Sequence, residues 1–292
     1  MAHFFQCGRF TFNLTSRSTP LVMGILNVTP DSFSDGGKFC DLNAAITHAE
    51  QMIADGVDII DIGGESSRPG AVALSLEQEL ARVMPVVFAL RDCGKPLSVD
   101  TYKPGVMREV LAAGASMIND IRAFQEPGAV EAVAESDCGL CLMHMQNLPQ
   151  SMQVAPHYDD VVADITIFLR RQVRQLTVAG IDPNRLCIDP GFGFGKTMAH
   201  NMALWQNLER IAGDLGLPLL IGVSRKAMIG NLVGRASGAR MVGSVVAALA
   251  AAEQGARIVR VHDVAETVDA FSVWHALRPA ASGTTHQGKN PS

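Results

Sequence analysis

The sequence predicts an α/β protein: a (β/α)8 TIM barrel with an N-terminal β-hairpin capping the barrel bottom. Three observations predict it. Eight short apolar runs of β type recur along the chain, longer stretches of helical periodicity lie between them, and each run ends in polar residues. Right-handed crossovers joining eight such units close naturally into a barrel. A doubly wound sheet is the alternative, but it usually has fewer strands and a glycine-rich first turn.

The elements follow in order. His3 to Leu14 alternates around Gly8-Arg9 like a hairpin, and residues 3–14 are assigned to the amino-terminal mouth of the barrel. The eight runs are LVMGIL from Leu21, VDIIDI from Val57, PLSVD from Pro96, MIND from Met117, LCLMH from Leu140, LCID from Leu186, LLIGV from Leu219 and IVRV from Ile258. Candidate helices include Asn43 to Asp55, Leu76 to Arg91, Tyr158 to Ala179, Met198 to Asp214 and Ala239 to Gln254. Gly56, Gly180 and Gly255 stand where a left-handed residue closes a helix. The segment from Asn27 to Leu42 is rich in Ser, Asp and Gly and carries Phe33; at that length in a compact barrel it reads as a lid rather than a connector. One domain is expected over residues 1–279, with a polar, disordered tail over 280–292.

Composition narrows the classes of function. With 48% hydrophobic and 18% charged residues, the 292-residue chain can bury a sizeable core. The formal net charge of −5 provides no global positive field, so nucleic acid and anionic lipid are not expected partners and any phosphate site must be local. The amino terminus does not read as a signal peptide, and the longest apolar run elsewhere, Val245 to Ala252, is too short to span a bilayer. A soluble, cytoplasmic protein is expected. Six scattered cysteines read as reduced thiols, and the lone Cys138-x-x-Cys141 flanks a buried strand with no second pair to complete a zinc site.

In a barrel, chemistry gathers where strands end in loops. The strand ends here deliver Asn27; Asp61 with the loop GGESSRPG; Asp100; Asn119 and Asp120; His144; Asp189; Ser224, Arg225 and Lys226; and Arg260 with His262. Arg68, Lys226 and Arg260, together with His262, can hold an oxyanion or phosphate. Asp100, Asn119 and Asp189 supply acceptors and an amide suited to a heterocycle with several N–H donors on one edge. The types describe a site with an anionic end and a polar aromatic end. His144 and Met143 are candidates to line the second of these, although a core histidine is nearly as good a reading. The stretch PGFGFGKT is neither a Walker A loop, because Pro190 stands where the first glycine belongs, nor a GxGxxG fingerprint, because Lys196 replaces the third glycine.

These residues resemble the bacterial dihydropteroate synthase family from about Leu21 to Leu277. The carriers are GILNVTPDSFSDGG at Gly24, DIGGESSRPG at Asp61, SVDTYKP at Ser98, INDI at Ile118, DPGFGFGK at Asp189, GVSRK at Gly222 and RVHDV at Arg260. The resemblance implies condensation of 6-hydroxymethyl-7,8-dihydropterin diphosphate with 4-aminobenzoate, a step of folate synthesis, in a homodimer with Mg2+ at Asn27. It implies that Asp100, Asn119, Asp189 and Lys226 hold the pterin with Met143, Phe194 and Gly222, and that Arg260 stacks on the ring and faces the diphosphate beside Val261. Ser67, Arg68 and His262 would bind the diphosphate, Asp35 would join the catalytic group, and Phe33, Pro69 and Lys226 would border the aminobenzoate pocket. Two positions depart from the family pattern: Ser67 stands where threonine is common, and Ala227 where serine is frequent.

Two rival readings share the pterin edge. A methyltetrahydrofolate-binding methyltransferase would not require the cationic groups of ESSRPG and SRK. A noncatalytic pterin-binding paralogue is disfavoured by the intact Asn27, Arg68, Lys226, Arg260 and His262.

Overall fold

The computed structural model describes residues 4–29, 37–68, 70–147 and 150–278. Eight parallel strands carry the fold: β3 (Leu21–Asn27), β4 (Ile59–Gly63), β5 (Leu97–Asp100), β6 (Met117–Asp120), β7 (Gly139–Met143), β8 (Leu186–Asp189), β9 (Leu220–Ile221) and β10 (Ile258–Val261). Their order in the sheet is β8-β7-β6-β5-β4-β3-β10-β9. A parallel bridge between Ile188 and Leu219 and a backbone hydrogen bond from Ile188 N–H to Pro218 O at 3.0 Å join the two ends and close the barrel. All eight apolar runs read from the sequence are therefore strands of one barrel.

Alternation along each strand sorts its side chains. Met23, Ile59, Met117, Cys141, Cys187, Leu220 and Ile258 form one cluster inside the barrel, while Val22, Ile60, Val99, Ile118, Leu140, Ile188 and Val259 pack outward in the main core beneath the helices. The hairpin of β1 (Phe4–Cys7) and β2 (Phe10–Asn13) is antiparallel and closes the bottom, with Phe5, Cys7 and Leu14 joining the inner cluster. Gly139 permits that closure, since a Cβ there would lie 2.8 Å from Cys7 Sγ and 2.9 Å from Gln6 O. His3 and the tail 280–292 lie outside the described residues.

Ten helices are described: α1 (Gly37–Ala54), α2 (Leu76–Leu90), α3 (Pro104–Ala112), α4 (Ala129–Ala134), α5 (Val161–Val178), α6 (Met198–Trp205), α7 (Leu208–Leu215), α8 (Ala227–Val233), α9 (Met241–Glu253) and α10 (Val264–Leu277). Gly56, Gly180 and Gly255 have φ of 91°, 89° and 88°, the left-handed closures read from the sequence. Two boundaries differ from expectation. α1 starts at Gly37 rather than Asn43 and takes in the end of the expected lid, Gly37 to Leu42, because no proline or glycine follows Gly37 to interrupt the helical ladder; residues 30–36 of that segment lie outside the described residues. The single helix expected over Met198 to Asp214 is broken at Gln206-Asn207, where Asn207 adopts φ −124° and its amide donates to Ala203 O at 2.9 Å, leaving α7 free to turn back onto α5. The described cysteines Cys7, Cys93, Cys138, Cys141 and Cys187 are free thiols.

Candidate active site

The inward parity that puts apolar side chains in the lower barrel puts polar ones at the top. Arg260 on β10 reaches across the barrel, donating from Nε to Asp61 Oδ2 at 2.6 Å and from Nη2 to Asp100 Oδ2 at 3.0 Å. Asn119 Nδ2 donates to the same Asp61 oxygen at 3.2 Å, so four strands meet in one buried network. The other Asp61 oxygen is buried without a partner in this network. Burial works against the Arg260 charge, but Asp61 and Asp100 outweigh it and hold its pKa above the ordinary guanidinium value. Burial raises the Asp100 carboxyl to about 7 against the pull of Arg260, with Asp61 pushing in the same direction as burial.

A second group forms around the glycine-rich turn after β8. Asp189 Oδ1 accepts the Gly191 N–H at 2.7 Å, and Lys226 Nζ donates to Phe192 O at 2.8 Å while lying 4.6 Å from the centre of the Phe194 ring. Burial raises the Asp189 carboxyl, opposed mainly by Lys226. Burial also lowers Lys226 to about 8, with Asp189 opposing and Arg260 adding to the fall. The turn needs glycine at 191: φ is 73°, and a Cβ would sit 1.9 Å from His144 O. Gly222 does a different job, since a Cβ there would meet the stem of Arg260 at 3.6 Å and occupy the space beside Asp189.

Both groups open into a cavity of about 890 Å³ whose lining includes Asn27, Ser67, Arg68, Ser224, Arg260 and His262. The loop carrying Ser67 and Arg68 is anchored through Glu65, which accepts from Leu74 N at 3.0 Å and Tyr102 Oη at 3.0 Å and pairs with Lys103; Lys103 also pairs with buried Glu79. Burial, followed by Arg260 and Arg225, lowers the His262 pKa to about 4, so near neutrality it supplies a hydrogen-bonding ring.

Most of the residues singled out from sequence converge here. Asn27, Ser67, Arg68, Asp100, Phe194, Gly222, Lys226, Arg260 and His262 line the cavity, while Asn119 and Asp189 join it through their network partners. Met143 packs with Phe194, Ile121 and Met152 at the edge. Val261 does not present its side chain to the site: alternation turns it outward into the main core, between inward-facing Arg260 and His262. Asp120 also leaves the rim, accepting the Arg122 and Phe124 N–H groups at 2.7 Å each. Phe33, Asp35 and Pro69 lie outside the described residues.

Two site groups had received no role from sequence. Asp61 was visible at a strand end, and its shared parity with inward-facing Ile59 was the signal that would have placed it. In the sequence Lys196 figures only as the residue that breaks the GxGxxG pattern and ends the DPGFGFGK motif. It is 3% exposed, donates to Phe194 O at 2.9 Å and His144 O at 3.3 Å, lies 3.1 Å from His144 Nδ1, and is lowered to about 7, chiefly by burial. His144 is buried behind the turn, edge-on to Phe168 at 4.8 Å, which favours its core reading.

A barrel whose rim joins a carboxylate-and-amide floor to a cationic mouth defines a pterin-binding enzyme, and the sequence model of the family described as "Pterin binding enzyme" matches residues 23–262. A dihydropteroate synthase from Neisseria meningitidis serogroup C is 50% identical over 279 residues, covering 94% of this chain and 98% of the relative. The Escherichia coli K12 dihydropteroate synthase is 51% identical over 271 residues, 92% of this chain and 96% of the relative. Among solved structures, a Xanthomonas albilineans dihydropteroate synthase with 4-aminobenzoic acid superposes with a TM-score of 0.89 at 49% identity, covering 96% of this chain and all of that one. A Burkholderia cenocepacia dihydropteroate synthase complexed with 7,8-dihydropteroate gives 0.83 at 50% identity, covering 94% and 96%. The chain belongs to the dihydropteroate synthase family of transferases.

Proposed function

We propose that this rim carries out the family reaction by promoting departure of diphosphate before attack by the amine. The substrates are 6-hydroxymethyl-7,8-dihydropterin diphosphate and 4-aminobenzoate; the products are 7,8-dihydropteroate and diphosphate. The bond from the pterin methylene to the diphosphate oxygen breaks, the aminobenzoate nitrogen bonds to that methylene, and the nitrogen releases a proton. An aromatic amine is uncharged at neutral pH and needs no strong base, whereas the leaving group concentrates negative charge as it departs. Stabilisation is therefore best spent on departure. Arg68 and Arg260 supply charge, and His262 and Ser67 supply hydrogen-bond donors, at one end of the cavity. Asp100, Asn119, Asp189 and Lys226 grip the pterin edge at the other, where the electron-rich ring can carry the positive charge left on its methylene.

The observation that carries this reading is one continuous cavity of about 890 Å³ in which Arg260 belongs to both ends, bonded to Asp61 and Asp100 below and lining the mouth with His262 above. A rival methyltransferase has no need of that arrangement. The decisive assay follows diphosphate release and pteroate formation with each substrate alone and with both. Product that requires both supports the reading; binding of the pterin substrate with no pteroate formed refutes it.

Mg2+ fits as a partner of the substrate more than of the protein. Among the described residues no group of three or more His, Cys, Asp or Glu side chains can hold a metal ion, while Asn27 offers a single amide oxygen at the cavity wall. That suits an ion that keeps several waters and binds chiefly through phosphate oxygens. When bound there, it would supply additional charge stabilisation to the diphosphate. By the family resemblance, Phe33, Pro69 and Lys226 would border the aminobenzoate. The homodimer belongs to the same proposal, supported by Val242 and Val246 on α9 and Val273 and Leu277 on α10, all well exposed; light scattering tests it. A cytoplasmic location is part of the same proposal; among the described residues no helix is long and apolar enough to cross a membrane.

A further inference from the structure

His262 has two ring nitrogens, and the structure treats them differently. Nδ1 lies 3.0 Å from Ser224 Oγ, and the same hydroxyl oxygen accepts the backbone N–H of His262 at 3.2 Å. Ser224 is 5% exposed, and among the described residues Nδ1 and the His262 backbone N–H are the two groups within hydrogen-bond distance of its hydroxyl. A hydroxyl that accepts from the backbone donor keeps its own proton inside the protein when Nδ1 accepts it; with a protonated Nδ1 it would have to turn that proton into the cavity. The first arrangement leaves Nδ1 bare and the ring proton on Nε2. Nε2 has no hydrogen bond within the described protein and belongs to a residue that lines the cavity.

The surroundings keep this pair in place without a ligand. Arg225, next to Ser224, forms a two-pronged ion pair with Asp263, next to His262, through Nε to Oδ2 at 3.1 Å and through Nη2 to Oδ1. The Arg225 N–H also donates to Ser244 Oγ at 2.9 Å. The loops after β9 and β10 are thus braced on either side of the Ser224–His262 contact.

We infer that Ser224 is a positioning residue that selects the Nε2–H tautomer of His262, so that the imidazole meets the diphosphate as a neutral, directional donor. The opposite tautomer would aim a lone pair at the anion. The charged groups facing the ring favour the neutral form: Arg260, Arg225 and Lys226 disfavour a proton added to it, and Asp263 opposes them only in part. Charge compensation then falls to Arg68 and Arg260. This inference rests on the placement of diphosphate argued above, and the two can fail separately.

The test is nitrogen NMR on the full-length protein labelled at histidine, with the His262 signals identified by their loss in His262→Gln. In the ligand-free protein near pH 7.5, protonated Nε2 and bare Nδ1 are expected; a protonated Nδ1 or an imidazolium overturns the inference. Ser224→Ala should scramble the tautomers and weaken inorganic diphosphate binding roughly tenfold, as expected for loss of about one hydrogen bond's discrimination. Ser224→Thr should restore both. An alanine variant that retains the Nε2–H tautomer also overturns it. If Nε2–H is present but its signal does not move when inorganic diphosphate binds, the placement of the anion is refuted while the role of Ser224 in setting the tautomer stands.

Discussion

The lower and upper halves of the barrel interior use the same inward-facing positions of the same strands and fill them with opposite chemistry. Below, Met23, Ile59, Met117, Cys187 and Ile258 are fully buried among apolar neighbours and sealed by Phe5 from the hairpin. One pleat further up, Ile59 is succeeded by Asp61, Met117 by Asn119, Cys187 by Asp189 and Ile258 by Arg260. The lower half needs no partner for any side chain. The upper half must compensate every charge it buries, which is why Arg260 is bonded to two carboxylates at once and Asp189 to a backbone N–H. Stability and chemistry are separated by one repeat of the β-pleat.

Breaking the upper half should cost most. Arg260→Ala removes a charge that faces the leaving group and strands Asp61 and Asp100, so kcat/KM should fall by roughly 10³-fold and stability by about 3–5 kcal/mol. Steady-state kinetics and denaturant unfolding read both, and near-normal turnover would refute the assignment. Breaking the lower half should separate the two effects. Phe5→Ala should lose about 3–5 kcal/mol of stability yet leave kcat/KM per folded molecule unchanged; a tenfold fall in the activity of the folded fraction would show that the plug and the rim are coupled.

Smaller changes sharpen the contrast within the rim. Asp189→Asn keeps the shape but loses a charged acceptor, and calorimetry with a pterin ligand should record affinity reduced roughly 10- to 100-fold. Unchanged affinity would remove Asp189 from the pterin edge. Smallest is a pH effect. Because burial brings Lys226 down to about 8, its positive charge is lost as pH rises through that value, and kcat/KM should decline on the alkaline side. Lys226→Met, slower throughout, should lack that limb; a variant that keeps it points to another group.

The eight strand runs were legible because a barrel strand buried on both faces is short and apolar whatever surrounds it. The helix-closing glycines were legible because a left-handed backbone favours that residue. Motif order was enough to gather Asp100, Asn119, Asp189, Lys226 and Arg260 into one site. It gave no warning that Val261, between two site residues, turns outward, because that depends on which face of β10 looks into the barrel. Lys196 escaped for a related reason: nothing in PGFGFGKT says that the lysine folds back beneath its own turn to reach His144 and Phe194.

By itself, then, the chain's pattern of apolar runs, glycines and polar strand ends determined the barrel, its hairpin plug and much of the rim, since these follow from local backbone preference and burial. Tertiary structure decided the charge states and pairings: that Arg260 spans from β10 to Asp61 and Asp100, that His262 stays neutral, and that Ser224 faces its Nδ1. Those outcomes depend on desolvation and on distances between strands far apart in sequence, and neither exists until the barrel has closed.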